Sequence, residues 1–174
     1  KESDYSKEAI PTILSDALAV SFDRNIGHDF LENAEERFEF YRKKEEKMPF
    51  DLEYFNKITS GGLPRKSLSI CLAGTGAGKS LFMCHVAANC LTENRNVLYI
   101  TLEMAEERIA ERIDANLLNV TMGGLKDISK EHYNKKIDKL KNKTSGRLII
   151  KEYPTASASV SNFKVLLNEL KIKK

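Results

Sequence analysis

Residues 67 to 81 read Ser-Leu-Ser-Ile-Cys-Leu-Ala-Gly-Thr-Gly-Ala-Gly-Lys-Ser-Leu. A short apolar run, Ser67 to Ala73, predicts a strand; the glycines predict a tight loop; and Lys79 to about Leu91 has helical character. Ala73 to Ser80 fits the pattern [A/G]-x-x-x-x-G-K-[S/T], with Ala where the stricter form has Gly. Glycines let backbone N–H groups curl around an anion, and the positive end of the following helix faces it. The predicted phosphate-binding residues are Ala73, Gly74, Thr75, Gly76, Ala77, Gly78, Lys79, Ser80 and Leu81. Lys79 would reach β- and γ-phosphates as a point charge, and the Ser80 hydroxyl would ligate a Mg²⁺ bridging them. At average residue frequencies the relaxed pattern arises in a chain this long with a probability on the order of 1%. Its place between a strand and a helix lowers that further. A dinucleotide fingerprint fails because Lys79 stands where its third glycine would be.

Outward from this loop, strands alternate with helices. Asn96 to Leu102 predicts a strand buried on both faces, Ala105 to Leu118 a helix, and Ser129 to Lys143 another. Arg147 to Tyr153 predicts a third strand, and Val160 to Leu170 a last amphipathic helix. The alternation argues an α/β fold with a parallel sheet and helical crossovers. Upstream, Pro11 to Phe22 and about Phe30 to Lys47 predict two helices. In the second, Asp29 and Glu32 are placed as a capping box, with Phe30, Ala34, Phe38 and Tyr41 on one stripe.

Composition bounds the class. Hydrophobic residues are 41% and charged residues 30% of 174, which excludes disorder, and the longest apolar runs are strand-sized, short of the ~20 residues of a membrane helix. No apolar run follows a basic flank near Lys1, so no export signal is expected. Cys71, Cys84 and Cys90 lie in apolar segments without C-x-x-C spacing and are expected to be reduced core thiols. A net charge of +3 neither demands nor excludes a nucleic-acid partner. His85 reads as a packing residue, the lysines at 135, 136, 139, 141 and 143 as a solvated face, and Arg108 and Arg112 as surface pairs of Glu107 and Glu111.

Glu103 follows the second predicted strand at the sheet edge where open α/β proteins bind ligands. A carboxylate there can orient and deprotonate the water that attacks a γ-phosphate, or it can simply cap the helix beginning near Ala105. Spacing leaves both open.

Three stretches carry a resemblance: K-M-P-F-D-L-E-Y-F-N-K-I-T-S-G-G-L (47 to 63), A-G-T-G-A-G-K-S, and N-V-L-Y-I-T-L-E-M (96 to 104). The chain resembles the DnaB-type replicative helicases from about Ile10 to its end. The resemblance implies a RecA-like P-loop ATPase core, residues 51–174, preceded by a helical linker, residues 1–50, whose helix at Pro11 to Phe22 packs on a neighbouring subunit. It implies a hexameric ring around single-stranded DNA that hydrolyses ATP with Mg²⁺, with Glu103 and Lys79 catalytic, and with primase and a helicase loader as further partners. The expected place is the cytoplasm, that of the bacterial host for a phage-encoded member, away from any membrane. The family's Walker B Asp, glutamine switch, arginine finger and DNA-binding loops have no counterpart up to Lys174, so the sheet is expected to be incomplete and the chain alone inactive. The rival readings are a RecA-like recombinase or regulatory ATPase, a small nucleoside or nucleotide kinase, and a non-enzymatic nucleotide-binding oligomerisation module.

Overall fold

The computed structural model describes residues 10, 14 and 27–172. The helix expected at Pro11 to Phe22 lies outside the described residues except for Leu14, which is helical. The chain divides into two compact units, 1–45 and 46–174.

In the first unit, helix α1 spans Ala34–Arg42, shorter at both ends than the stretch expected from Phe30 to Lys47. Asp29 Oδ1 accepts the N–H groups of Leu31 and Glu32, both at 3.0 Å, and these bonds hold residues 30–33 as a turn. Asn33, not Glu32, reaches back to the Asp29 N–H at 3.0 Å, so the expected capping box forms with a different second member. The stripe of Phe30, Ala34, Phe38 and Tyr41 is exposed. The Arg37 and Arg42 guanidinium groups lie over the Phe30 and Phe38 rings at 4.1 and 4.5 Å.

The second unit opens with a small clamp. Strands β1 (Lys47–Met48) and β2 (Leu63–Pro64) pair antiparallel, and helix α2 (Glu53–Ile58) lies between them in the chain. The Lys47 ammonium donates to Thr59 O and Ser60 O, at 3.1 and 3.2 Å, beyond the C-terminus of α2. Asn56 closes a two-way bond with the Phe50 backbone. Gly62 has φ +122°, and a Cβ there would meet Met48 O at 2.0 Å, so only glycine fits. The carboxylate of Glu46 holds Arg65 and Arg95, each at 2.6 Å, which keeps it below the usual carboxylate range.

Helix α3 spans Lys79–Thr92, β3 Val97–Thr101, α4 Glu106–Leu117, α5 Gly124–Asp127, α6 Lys130–Lys143, β4 Leu148–Glu152 and α7 Val160–Ile172. Except for α5, these follow the expected elements to within a residue or two. Ser129 caps α6 by accepting the His132 N–H. Strands β3 and β4 pair in parallel with Val97 opposite Leu148 and Thr101 opposite Glu152. Cys84, Ala87 and Ala88 of α3 pack on Ile109 and Ile113 of α4, and Val97, Tyr99, Leu148 and Ile150 close over them. The small residues of α3 let the helix approach closely. Burying Ile109 contributes about 1.5–3 kcal/mol.

Three expectations are corrected. Ser67 to Ala73 forms no strand, because no described strand lies beside it to share a hydrogen-bond ladder; Leu68, Ile70 and Leu72 are 86%, 80% and 93% exposed. Strand β3 is half-buried rather than buried on both faces. Cys71, in the unpaired run, is exposed rather than in the core, whereas Cys84 is buried and Cys90 half-buried. No helix among the described residues is long and apolar enough to cross a membrane.

Candidate functional site: a glycine loop and a tethered carboxylate

The loop of residues 73–80 is exposed apart from Gly78 and Lys79, which are half-buried. Gly76 and Gly78 hold φ +76° and +95°, in the left-handed region that favours glycine. An added Cβ at Gly74, Gly76 or Gly78 would meet nothing within 4 Å, so the glycines are not there to fit protein against protein. The Ala77 N–H donates to Gly74 O at 3.3 Å and closes a turn. Gly78 N-caps α3 without a side-chain hydrogen bond, and the Phe82 N–H takes up Gly78 O at 2.9 Å. The first-turn amides of a 14-residue helix are left facing the loop, an arrangement that suits an anion.

Lys79 is half-buried and turned back onto this loop. Its ammonium donates to Ala73 O at 2.9 Å and Gly74 O at 2.8 Å. These bonds hold the positive charge over the glycines. Ser80 is exposed and makes no side-chain bond, so its hydroxyl is available to a Mg²⁺ ion, and Leu81 is 57% exposed. The open left-handed glycines, the uncapped helix and the parked ammonium fit a Mg²⁺-nucleotide.

Glu103 lies on the short connection from β3 to α4. Residues 93–96 join α3 to β3, so the helix, about 21 Å long, runs back along a strand of about 16 Å. The Lys79 end of α3 therefore lies toward the sheet edge at which β3 ends and Glu103 follows. No hydrogen bond or ion pair joins Glu103 to residues 73–81 among the described residues, and its carboxylate is exposed without a partner. Nor does Glu103 cap α4. Ala105 stands at the N-cap with no side chain to offer, and the Glu106 N–H donates to Glu152 Oε2 at 3.2 Å.

Sequence reading missed the tethers around Glu103. Thr101 is buried, and its hydroxyl accepts the Met104 N–H at 3.1 Å and donates to Met104 O at 2.8 Å. The Tyr153 N–H donates to Thr101 O at 3.0 Å, and the Thr155 hydroxyl to Leu102 O at 3.2 Å. The Glu152 N–H donates to Glu106 Oε1 at 2.8 Å, reciprocating the bond it accepts. The nearest sequence signal was the predicted end of a strand at Tyr153, and it named no partner.

Arg108 pairs with Glu111 at 2.9 Å, the surface pairing expected of it, whereas Arg112, expected to pair likewise, makes no ion pair among the described residues. Arg112, His85 and Asn116 line a groove of about 550 Å³ with Leu81, Phe82 and Met122. In that groove Asn116 Nδ2 donates to His85 Nδ1 at 3.0 Å, and His85 Nε2 is buried without a partner. The Cys84 thiol donates to the Tyr99 hydroxyl, and burial pushes the Tyr99 phenol up to about 12.

The family described as DnaB-like helicase C terminal domain matches residues 48–173. A DnaB-like replicative helicase of Enterobacteria phage T4 is 48% identical over 169 residues, 95% of this chain. That alignment covers 36% of the phage protein, so the chain spans about a third of its relative's length.

Proposed function

The chain belongs to the DnaB-like helicase C-terminal domain family, and from that premise we propose that it forms the nucleotide-binding part of a hexameric replicative helicase. In this reading the helicase couples ATP hydrolysis to movement along single-stranded DNA and to strand separation. The observation that carries it is the loop of residues 73–80, where left-handed glycines, an uncapped α3 and the Lys79 ammonium converge on one open space.

The chemistry follows from these groups. The amides of the loop and of the first turn of α3 donate to phosphate oxygens, and Lys79 exchanges its two carbonyl partners for the β- and γ-phosphates. The Ser80 hydroxyl holds Mg²⁺, which when bound neutralises charge on those phosphates. Glu103 orients a water and takes its proton as the water oxygen bonds the γ-phosphorus and the bond to the β–γ bridging oxygen breaks. The exposed, unpartnered carboxylate supports this role because no helix-capping bond competes for it.

We read the open edge of β3 and the unpaired run of Ser67 to Ala73 as neighbours of a further strand that carries the Mg²⁺-supporting Asp in the complete domain. We read residues 1–50 as the linker, with its Pro11 to Phe22 helix packing on the adjacent subunit of the ring. The remaining partners in this reading are single-stranded DNA, a primase and a helicase loader, in the host cytoplasm.

The test is nucleotide binding by the chain with Mg²⁺, followed by forked-DNA unwinding by the full-length protein. Lys79→Ala is expected to weaken ATP binding by tenfold or more, and removal of Mg²⁺ by EDTA to weaken it as well. Unaltered binding in Lys79→Ala would refute the site. Hydrolysis without strand displacement at a fork would favour a RecA-like recombinase or regulatory ATPase. Rapid ATP turnover by the 174-residue chain alone would contradict the need for a further strand.

A further inference from the structure

We propose that Glu152, at the end of β4, is a positioning residue for Glu103, a proposal that rests on the reading of Glu103 as the base. Four residues, Leu102 to Ala105, separate the end of β3 from the start of α4, and Glu103 is the second of them. The upstream end of this connection is anchored by β3 itself, through the Thr101 hydroxyl on both polar backbone atoms of Met104. Its downstream end is tied to α4 by the Ala105 carbonyl, which accepts the Arg108 and Ile109 N–H groups at 3.0 and 3.2 Å, but it has no side-chain cap, because the Ala105 side chain carries no oxygen. Glu152 supplies that cap from another strand. Its carboxylate accepts the Glu106 N–H at 3.2 Å, and its own N–H donates to the Glu106 carboxylate at 2.8 Å.

This arrangement is a capping box built across 46 residues of sequence rather than within one turn. Two carboxylates are tolerated side by side for physical reasons that are both present. They lie at the positive end of the α4 dipole, and the Lys151 ammonium stands 3.8 Å from Glu106 Oε1. The parallel register sets Glu152 directly opposite Thr101, so the strand pairing that aligns the sheet also fixes the distance from strand end to helix start. A loop clamped at both ends holds the Glu103 Cα in one place while its side chain stays free to reach a water. Misplacing a reacting group by about 1 Å can cost on the order of a hundredfold in rate.

The test compares Glu152→Ala with Glu152→Gln on the full-length protein carrying this sequence, reading kcat and KM for ATP in the presence of single-stranded DNA. Glu152→Ala is expected to lower kcat about tenfold or more with KM within about twofold. Glu152→Gln, whose amide oxygen still accepts the Glu106 N–H, is expected to stay near the parent. Amide exchange at Met104 to Glu106 should rise in Glu152→Ala while the amides of α3 and β3 stay protected. In a Glu103→Gln background, Glu152→Ala should have no further effect, since the two act as one unit. A Glu152→Ala protein with unchanged kcat, or with unchanged exchange at Met104 to Glu106, would overturn the proposal. So would one that loses its fold as a whole, which would assign Glu152 to stability. Near-parent turnover in Glu103→Gln would instead remove the base itself, a failure recognisable without any Glu152 variant.

Discussion

Gly62 and Asp114 show how single residues carry constraints that spacing does not announce. At Gly62 the backbone is left-handed and passes so close to Met48 that a Cβ would sit 2.0 Å from its carbonyl oxygen. Gly62→Ala is therefore expected to destabilise the second unit by about 2 kcal/mol or more, measured by denaturant unfolding followed by circular dichroism. Asp114 accepts the Tyr133 hydroxyl at 3.0 Å, and burial raises its carboxyl above the ordinary 3.8, with that hydrogen bond acting in the opposite direction. The folded chain therefore holds a proton that the unfolded chain releases, so this group's contribution to stability falls as pH rises from about 4 through the raised value. Asp114→Asn keeps an oxygen for Tyr133 and removes the charge. Its stability at pH 7 should be within about 1 kcal/mol of the parent or above it, with a flatter pH profile between pH 4 and 7; a larger loss would contradict this account.

At the scale of elements, local signals were sufficient wherever an element could be recognised from its own residues. Helices α3, α4, α6 and α7 and strands β3 and β4 were legible because the apolar spacing that marks each lies within its own residues. The clamp of β1, α2 and β2 was not, because α2 has six residues and is held by Asn56, Lys47 and the Phe50, Phe55 and Phe82 rings 5.3–6.3 Å apart. The glycine loop was legible from spacing alone. The tether from Glu152 was not, because its two ends lie 46 residues apart. The run of Ser67 to Ala73 was misread because composition reports a liking for sheets while a strand needs a neighbour. Two substitutions test this contrast in the 174-residue chain. Ile109→Ala, at a side chain 1% exposed, should cost about 2–5 kcal/mol. Leu72→Ser, 93% exposed, should cost about 0.5 kcal/mol or less in this chain and distinctly more in the full-length protein, where a further strand would cover the run.

For the whole molecule, the family and the phage relative establish a helicase-type domain, and the chain spans about a third of that relative. On the proposed reading, the second unit contributes the loop of residues 73–80 for phosphates, the Lys79 ammonium held over it, and the free Glu103 carboxylate on a clamped connection. The measurement that tests this most directly is ATP turnover with single-stranded DNA by the full-length protein and its Glu103→Gln variant, with ATP binding followed in the same samples. The account predicts binding within about threefold of the parent and turnover lower by about a hundredfold or more. A Glu103→Gln protein that hydrolyses ATP at close to the parent rate would contradict it.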